Sequence, residues 1–148
     1  MTKEVLVSIK GAHTMEGETD DISVITAGSY YLKNGRHYII YDELIDGMEG
    51  AIRNTLKISK DRVDMIKSGG TRSHMVFETN KENVSCYATP YGQMTVGVYT
   101  NSITVREEEE RLQVKIDYTL EFNYENVSDC LIEIGIESKA GAKLHLGE

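Results

Sequence analysis

Residues 111–122 read RLQVKIDYTLEF, and this stretch decides the fold. Apolar or aromatic side chains occupy every second position and alternate with polar or charged ones. The apolar set consists of Leu112, Val114, Ile116, Tyr118, Leu120 and Phe122. Because successive side chains of a β-strand point to opposite faces, this pattern predicts a strand with one buried face.

The same period of two recurs along the chain in both directions. Apolar residues share one side of the segments 5–9, 52–58, 75–77 and 130–136. These segments are short and rich in β-branched residues, which are favoured in strands. An all-β protein is therefore predicted.

Turn signals separate these segments at intervals of about ten residues, the spacing typical of β-sandwiches and barrels. Asn34-Gly35 is typical of a type I′ hairpin turn. Ser68-Gly69-Gly70 and Asn80-Lys81-Glu82 also predict hairpins, and Thr89-Pro90-Tyr91-Gly92 predicts a type I or II turn. The chain is predicted to run mostly up and down between neighbouring strands.

The 148 residues are predicted to form a single domain, 1–148, large enough to have its own core. Closing an antiparallel meander removes the exposed edges that invite aggregation. The sequence thus predicts a single closed antiparallel β-barrel of about 8–10 strands, with a sandwich as the alternative. Residues 42–50, DELIDGMEG, are an exception that predicts a short helical turn or a lid.

Composition and charge exclude several classes of function. The net charge is −8, from 16 basic and 24 acidic residues, which argues against nucleic acid and anionic membranes as partners. No apolar run approaches the roughly 18 residues of a membrane span, and the first residues lack a signal-peptide pattern. With only Cys86 and Cys130, spaced far apart, we expect a cytoplasmic protein with reduced, buried thiols.

Residues that commonly carry catalysis are present but not grouped. The four histidines are scattered, at His13, His37, His74 and His145, and none has a partner at metal-ligand spacing. Neither a G-x-S-x-G elbow nor a phosphate-binding glycine loop occurs. We therefore expect no enzyme activity, no catalytic residue, no metal and no cofactor.

Tyrosine is the unusual feature, with nine against two Phe and no Trp. A tyrosine inside a barrel presents an apolar ring and a polar tip, which suits an amphipathic ligand. Tyrosine is also simply a good strand residue, and alternation must turn half of them outward. The predicted ligand-lining residues are Tyr30, Tyr41, Arg53, Tyr87 and Tyr99.

Four stretches taken together resemble the YwiB-like family of small, functionally uncharacterised bacterial proteins. They are residues 30–35 (YYLKNG), 38–43 (YIIYDE), 56–58 (LKI) and 87–92 (YATPYG). The resemblance spans essentially the whole chain and implies a lipocalin-like, or calycin, barrel. It implies no substrate or catalytic residue. The absence of Trp, and so of a G-x-W motif, departs from true lipocalins and argues against lipid transport.

The sequence leaves two functions open. The first is a non-enzymatic cytosolic barrel that binds a small amphipathic molecule in its interior or at its mouth. The alternative is an interaction or scaffold protein with a filled barrel, acting through its acidic surface and residues 42–50. The oligomeric state is not predicted.

Overall fold

The computed structural model describes residues 3–15, 18–44, 50–69, 73–89, 92–123 and 125–139. They form ten strands: β1 (Glu4–Met15), β2 (Glu18–Lys33), β3 (Arg36–Leu44), β4 (Ala51–Ile58), β5 (Arg62–Ser68), β6 (Ser73–Glu78), β7 (Glu82–Thr89), β8 (Gly92–Glu108), β9 (Arg111–Phe122) and β10 (Glu125–Ser138). Within these ranges no helix has the length and apolar character needed to cross a membrane.

The strands form one antiparallel sheet in the order β6-β5-β4-β3-β2-β1-β10-β9-β8-β7. Strands β1 to β6 form one meander and β7 to β10 a second, and the pairing of β1 with β10 joins the two. The sheet curls into a nearly closed barrel. The predicted all-β antiparallel barrel is therefore confirmed.

The barrel wall has a seam between β6 and β7, which stand at the two ends of the sheet order. The turn that joins them binds β8 instead, because Asn80 N–H donates to the Thr100 carbonyl at 2.8 Å. Thr100 N–H donates in return to the Lys81 carbonyl at 3.2 Å. The hairpin predicted at Asn80-Lys81-Glu82 is wrong: the chain turns there, but no β6–β7 ladder forms among the described residues.

The turn predicted at Asn34-Gly35 forms as expected. Asn34 and Gly35 have φ values of 53° and 74°, as a type I′ turn requires, and Lys33 pairs with Arg36 across it. Strands β5 and β6 pair antiparallel, and so do β7 and β8, where Thr89 pairs with Gly92. Residues 70–72 and 90–91, which include the tips of the other two predicted turns, lie outside the described residues.

The inner face of the sheet carries a continuous hydrophobic core. Its largest fully buried side chains are Ile39, Leu56, Ile58, Phe77, Leu112, Ile116, Ile134 and Ile136. Burying each of them contributes about 1.5–3 kcal/mol relative to exposure. The inward-facing sides that the sequence predicted for segments 5–9, 52–58, 75–77 and 130–136 are confirmed.

A bulge in β8 keeps that long strand facing the core. The register with β9 shifts between Thr100 and Ser102. Val98 and Thr100 face inward before the bulge, and Ile103 and Val105 face inward after it. One extra residue thus compensates for a change in the phase of the alternation.

The acidic segment 42–50 differs from its prediction where it is described. Asp42 to Leu44 complete β3 as extended strand, so the predicted helical turn does not begin there. Residues 45–49, where the turn or lid was expected, lie outside the described residues.

Candidate functional site

The predicted ligand-lining residues do not gather at one place. Tyr30 and Tyr41 lie on the inner face and are 9% and 7% exposed. Arg53 and Tyr99 lie on the outer face, so they do not line the barrel interior. The side chain of Tyr87 lies outside the described residues.

Alternation explains why Arg53 and Tyr99 point outward. Arg53 lies between the buried residues Ile52 and Asn54, and its side chain is 63% exposed. Tyr99, 39% exposed, lies between the inward-facing Val98 and Thr100. Residues between two core positions of a strand must face the opposite side.

The inward tyrosines are held in their neutral form. Burial raises the pKa of Tyr41 to about 12, with a further contribution from the negative charge of Glu43. Burial and the charge of Glu107 also raise the pKa of Tyr30. Neither phenol is shifted toward the phenolate that a nucleophile or general base would need.

Tyr30 begins a chain of hydrogen bonds at one end of the barrel. Its hydroxyl lies 2.6 Å from Nδ1 of the buried His37, and Nε2 of His37 lies 2.7 Å from Glu107 Oε1. A carboxylate only accepts hydrogen bonds, so Nε2 carries a proton and, in the neutral ring, Nδ1 accepts from the Tyr30 hydroxyl. The chain connects the end of β8 to β2 and β3.

The other described histidine side chain also bonds a carboxylate. His74 Nε2 lies 2.8 Å from Asp64 Oδ2, and Arg62 Nε donates to Asp64 Oδ1 at 2.8 Å. Within the described part of the chain, no group of three or more His, Cys, Asp or Glu side chains is placed to hold a metal ion.

Two polar atoms on the inner face are buried without a hydrogen-bond partner among the described residues. They are Oγ1 of Thr100, a residue with no exposed surface, and Nδ2 of Asn83. Asn83 pairs with Val98, so the two residues are diagonal neighbours on β7 and β8 beside the seam. Each such atom costs stability, because it loses water without gaining a partner.

A groove of about 660 Å³ lies on the outer face, across β2, β1, β10, β9 and β8. Its floor is a row of register partners, one from each strand. In strand order the row runs Ile25, Ser8, Gly135, Gln113 and Arg106. Five segments that are distant in sequence thus form one continuous surface.

The groove exists because the middle of this row is small. Gly135 has no side chain, and a Cβ built there would meet only the Ser8 Cβ, at 3.8 Å. The rows on either side carry longer side chains. One includes Leu6, Glu137 and Arg111, and the other includes Lys10, Glu133 and Lys115. Long side chains flanking a floor of Ser and Gly leave a hollow between them.

The groove is amphipathic from one side to the other. Leu6 and the 72% exposed Ile25 form an apolar side on β1 and β2. Arg106, Arg111 and Lys115 form a basic side on β8 and β9. Four strand spacings separate β2 from β8, at most roughly 19 Å.

The charge of the groove opposes that of the whole chain. Four basic and two acidic side chains line it, although the protein carries a net charge of −8. Arg111 Nε pairs with Glu137 Oε1 at 3.3 Å. Lys10, Arg106 and Lys115 form no ion pair with any described residue.

Sequence reasoning missed every residue of this groove. The available signal was the outward alternation of long and small side chains, such as Leu6-x-Ser8-x-Lys10 in β1 and Glu133-x-Gly135-x-Glu137 in β10. Only the register shows that Ser8 and Gly135 lie side by side, and neither segment contains that information.

The curled ten-stranded antiparallel sheet defines the chain as a small antiparallel β-barrel protein with a groove on its outer wall. The family described as Domain of unknown function (DUF1934) matches residues 7–134, and the chain belongs to this family. The membership agrees with the YwiB-like resemblance seen in the sequence.

Two comparisons lead to the same relative. The chain is 25% identical over 116 residues to the "Uncharacterized beta-barrel protein YwiB" of Bacillus subtilis (strain 168), covering 78% of this chain and 80% of the relative. The crystal structure of ywiB protein from Bacillus subtilis matches with a TM-score of 0.79 and 23% identity, over 92% of each chain. The second likeness supports the barrel fold.

Proposed function

We propose that this protein is a non-catalytic binding protein that holds a small amphipathic molecule in the groove on the outer wall of its barrel. The observation that carries the proposal is the groove itself. Its volume of about 660 Å³ falls within the roughly 300–1,000 Å³ typical of small-molecule sites.

The lining supports this choice of ligand. Small-molecule sites combine apolar walls with a few placed polar groups that fix orientation. Leu6 and Ile25 provide the apolar wall, and Gln113 with Arg106 and Lys115 provides polar groups at the opposite side. A molecule with one apolar and one polar end fits this division.

The proposed site replaces the interior that the sequence favoured. The inward-facing side chains pack against one another in the core, as the T-shaped contact of Phe77 with Tyr118 illustrates at a 4.9 Å ring separation. The outward-facing side chains around Gly135 leave open space instead. The groove is therefore the better seat for a ligand.

A binding role is also favoured over an enzymatic one by the hydrogen-bonded chain of Tyr30, His37 and Glu107. Its order resembles a catalytic relay, in which a carboxylate orients a histidine that accepts a proton. The pKa of the Tyr30 hydroxyl is raised, however, and the hydroxyl is buried. The arrangement suits a structural connection between strands.

The scaffold alternative rests on the acidic surface and residues 42–50. The described carboxylates of this segment already have partners. Asp42 pairs with Arg53 at 3.5 Å, and Glu43 accepts from Asn54 at 2.7 Å and pairs with Lys67 at 3.3 Å. Charges satisfied within the chain offer less to a protein partner, so we rank this function second.

The test uses three decyl amphiphiles below their micelle concentrations: decanoate, decyltrimethylammonium and decyl maltoside. Titrations followed by backbone amide NMR should show saturable one-to-one binding of at least one of them, with shifts on β1, β10 and β9. Gly135→Phe should fill the groove and abolish binding, whereas Ser8→Ala keeps the floor small and should preserve it. Binding that survives Gly135→Phe would rule out this site.

A further inference from the structure

We infer that the ligand of the groove is an organic anion, bound with its negative head at the basic side over β8 and β9 and its apolar tail over Leu6 and Ile25. The inference rests on the proposed function and adds the charge and the orientation of the ligand. This orientation places the negative head beside the basic side chains and the apolar tail against Leu6 and Ile25.

The basic side has more positive charge than the described residues around it neutralise. Arg106 closes the floor row on β8, and Lys115 stands next to it on β9, opposite Thr104. Neither forms an ion pair with a described residue, unlike Arg111, which is paired with Glu137. A carboxylate, phosphate or sulfonate placed here would accept charge-assisted hydrogen bonds from both.

Lys10 extends the basic surface across the groove, and the negative charge of Glu133 partly offsets this positive charge. Lys10 pairs in register with Glu133, and Glu133 pairs with Lys115, so one carboxylate stands between two ammonium groups. One negative charge cannot neutralise two positive ones. This row therefore remains net positive and adds to the attraction for an anion.

The opposite side is suited to an apolar tail. Ile25 is 72% exposed, although an isoleucine gains free energy by leaving water. Leu6 lies diagonally beside it on β1, because Leu6 pairs with Ala27 and Ser8 pairs with Ile25. Covering these two side chains stabilises a bound tail without disturbing the core.

The shape of the groove favours a single dissolved molecule over a membrane surface. The floor at Ser8 and Gly135 lies below the long side chains of the neighbouring rows, so the floor is reached only by a slender chain. A flat bilayer would meet the tips of the basic side chains instead. The occupant is thus a monomeric amphipathic anion.

The test compares the decyl series by head charge. Decanoate should bind most tightly, decyl maltoside less tightly, and decyltrimethylammonium most weakly, with about tenfold or more between the first and the last, because the two differ by the sign of the charge placed at the basic side. Raising the salt concentration should weaken decanoate binding and leave decyl maltoside unaffected.

Variants of the basic side chains then show where the charged head group of the ligand binds. The double change Arg106→Gln with Lys115→Gln should weaken decanoate about tenfold, since it removes two charge-assisted contacts at a partly exposed site. Binding of decyl maltoside should not change. The double change Lys57→Gln with Lys60→Gln is the matched control, because it also removes two positive charges, on β4 and just after it, away from the groove, and should have no effect.

Glu133→Gln provides a readout that damage to the fold would not mimic. Removing this carboxylate leaves Lys10 and Lys115 unopposed, so decanoate should bind several-fold more tightly. A loss or no change would overturn the inference.

The outcomes separate the two proposals. If none of the three amphiphiles binds, the proposed function fails and the inference fails with it. If they bind with equal affinity, or the ammonium binds best, the groove remains a ligand site and the anion assignment is overturned. Binding to phosphatidylglycerol vesicles without binding to monomeric decanoate would equally overturn it.

Discussion

Tyr30 and Tyr31 are adjacent in the sequence and opposite in their surroundings. Tyr30 faces the barrel interior and bonds His37, whereas Tyr31 faces outward, 42% exposed, with Lys3 Nζ 5.5 Å from its ring centroid. The hydrogen-bonded chain can therefore be tested by removing the hydroxyl from each tyrosine in turn. The chemical change is the same at both positions, and only the environment of the side chain differs.

Tyr30→Phe should lower the free energy of unfolding by about 1–2 kcal/mol, because it leaves Nδ1 of the buried His37 without its partner. Tyr31→Phe removes an exposed hydroxyl and keeps the ring under Lys3, so its effect should stay within about 0.5 kcal/mol. Urea denaturation measures both. Equal effects of the two changes would contradict the structural role given to the chain.

Thr100→Val should stabilise the protein. The change removes a hydroxyl that is buried without a partner among the described residues and keeps nearly the same shape. We expect the free energy of unfolding to rise by about 1 kcal/mol in urea denaturation. Thr104→Val, at an exposed outward position of the same strand, should change it by less than about 0.5 kcal/mol. Destabilisation by Thr100→Val would mean that the hydroxyl has a partner.

Asp64 should make stability depend on acid pH. Burial raises the pKa of its carboxyl, but hydrogen bonds from Arg62 and His74 and their positive charges outweigh burial, so the pKa lies below the usual 3.8. A depressed pKa in the folded state stabilises the protein above the unfolded value and loses that contribution as the pH falls through the folded value.

Asp64→Asn should therefore be less stable than the parent at neutral pH, and the difference should shrink as the pH falls below about 3.8. Thermal or urea denaturation of both proteins across the acid range measures it. A difference that stays constant through the acid transition would show that the ionised carboxylate of Asp64 is not the source of the stability.

At the scale of single elements, the β2–β3 hairpin depends on one backbone conformation. Gly35 has a φ of 74°, and a Cβ built there would meet no atom within 4 Å. Gly35→Ala should still cost about 1–2 kcal/mol, because the left-handed conformation itself is unfavourable for a residue with a Cβ.

Gly11 is the matched control for Gly35. It also has open space around a built Cβ, but it lies within β1 and lacks a positive φ. Gly11→Ala should be neutral or stabilise by up to about 1 kcal/mol, because alanine restricts the unfolded chain. If both substitutions lower the thermal stability equally, the positive φ at Gly35 is not the reason that glycine is needed there.

The sequence predicted elements well wherever the signal was local. Alternation in RLQVKIDYTLEF is a property of a single strand, and Asn34-Gly35 specifies its own turn. Prediction from the sequence failed where the structure of a segment depended on a neighbouring strand. At Asn80-Lys81-Glu82 the residues turn the chain as their composition predicts, yet the backbone of Asn80 and Lys81 bonds Thr100 of β8. No local pattern distinguishes that from a hairpin.

At the scale of the whole molecule, closure of the sheet was predictable and the site was not. Unpaired edges are unfavourable, and this alone argues for a barrel. The groove depends on Ser8, Gly135 and Arg106 meeting in one row, and on the β8 bulge between Thr100 and Ser102 that sets which residues face outward beyond it. A shift of one residue would send Arg106 to the interior. Tyrosine content drew attention to the interior, whereas the groove of the proposed site lies on the outer wall.

The pairing of β1 with β10 also sets the order in which the wall can be built. Val5 pairs with Ser138 and Thr14 with Asp129, so residues from opposite ends of the barrel sequence must meet. Such contacts lower the free energy only after the entropic cost of closing a long loop has been met, so they form slowly. During synthesis β1 is made before β10, so the edge of β1 that pairs with β10 stays unpaired until β10 has been made. The meander β1–β6 can form as it is made, but the wall that carries the groove is completed only at the end, when β10 arrives between β1 and β9.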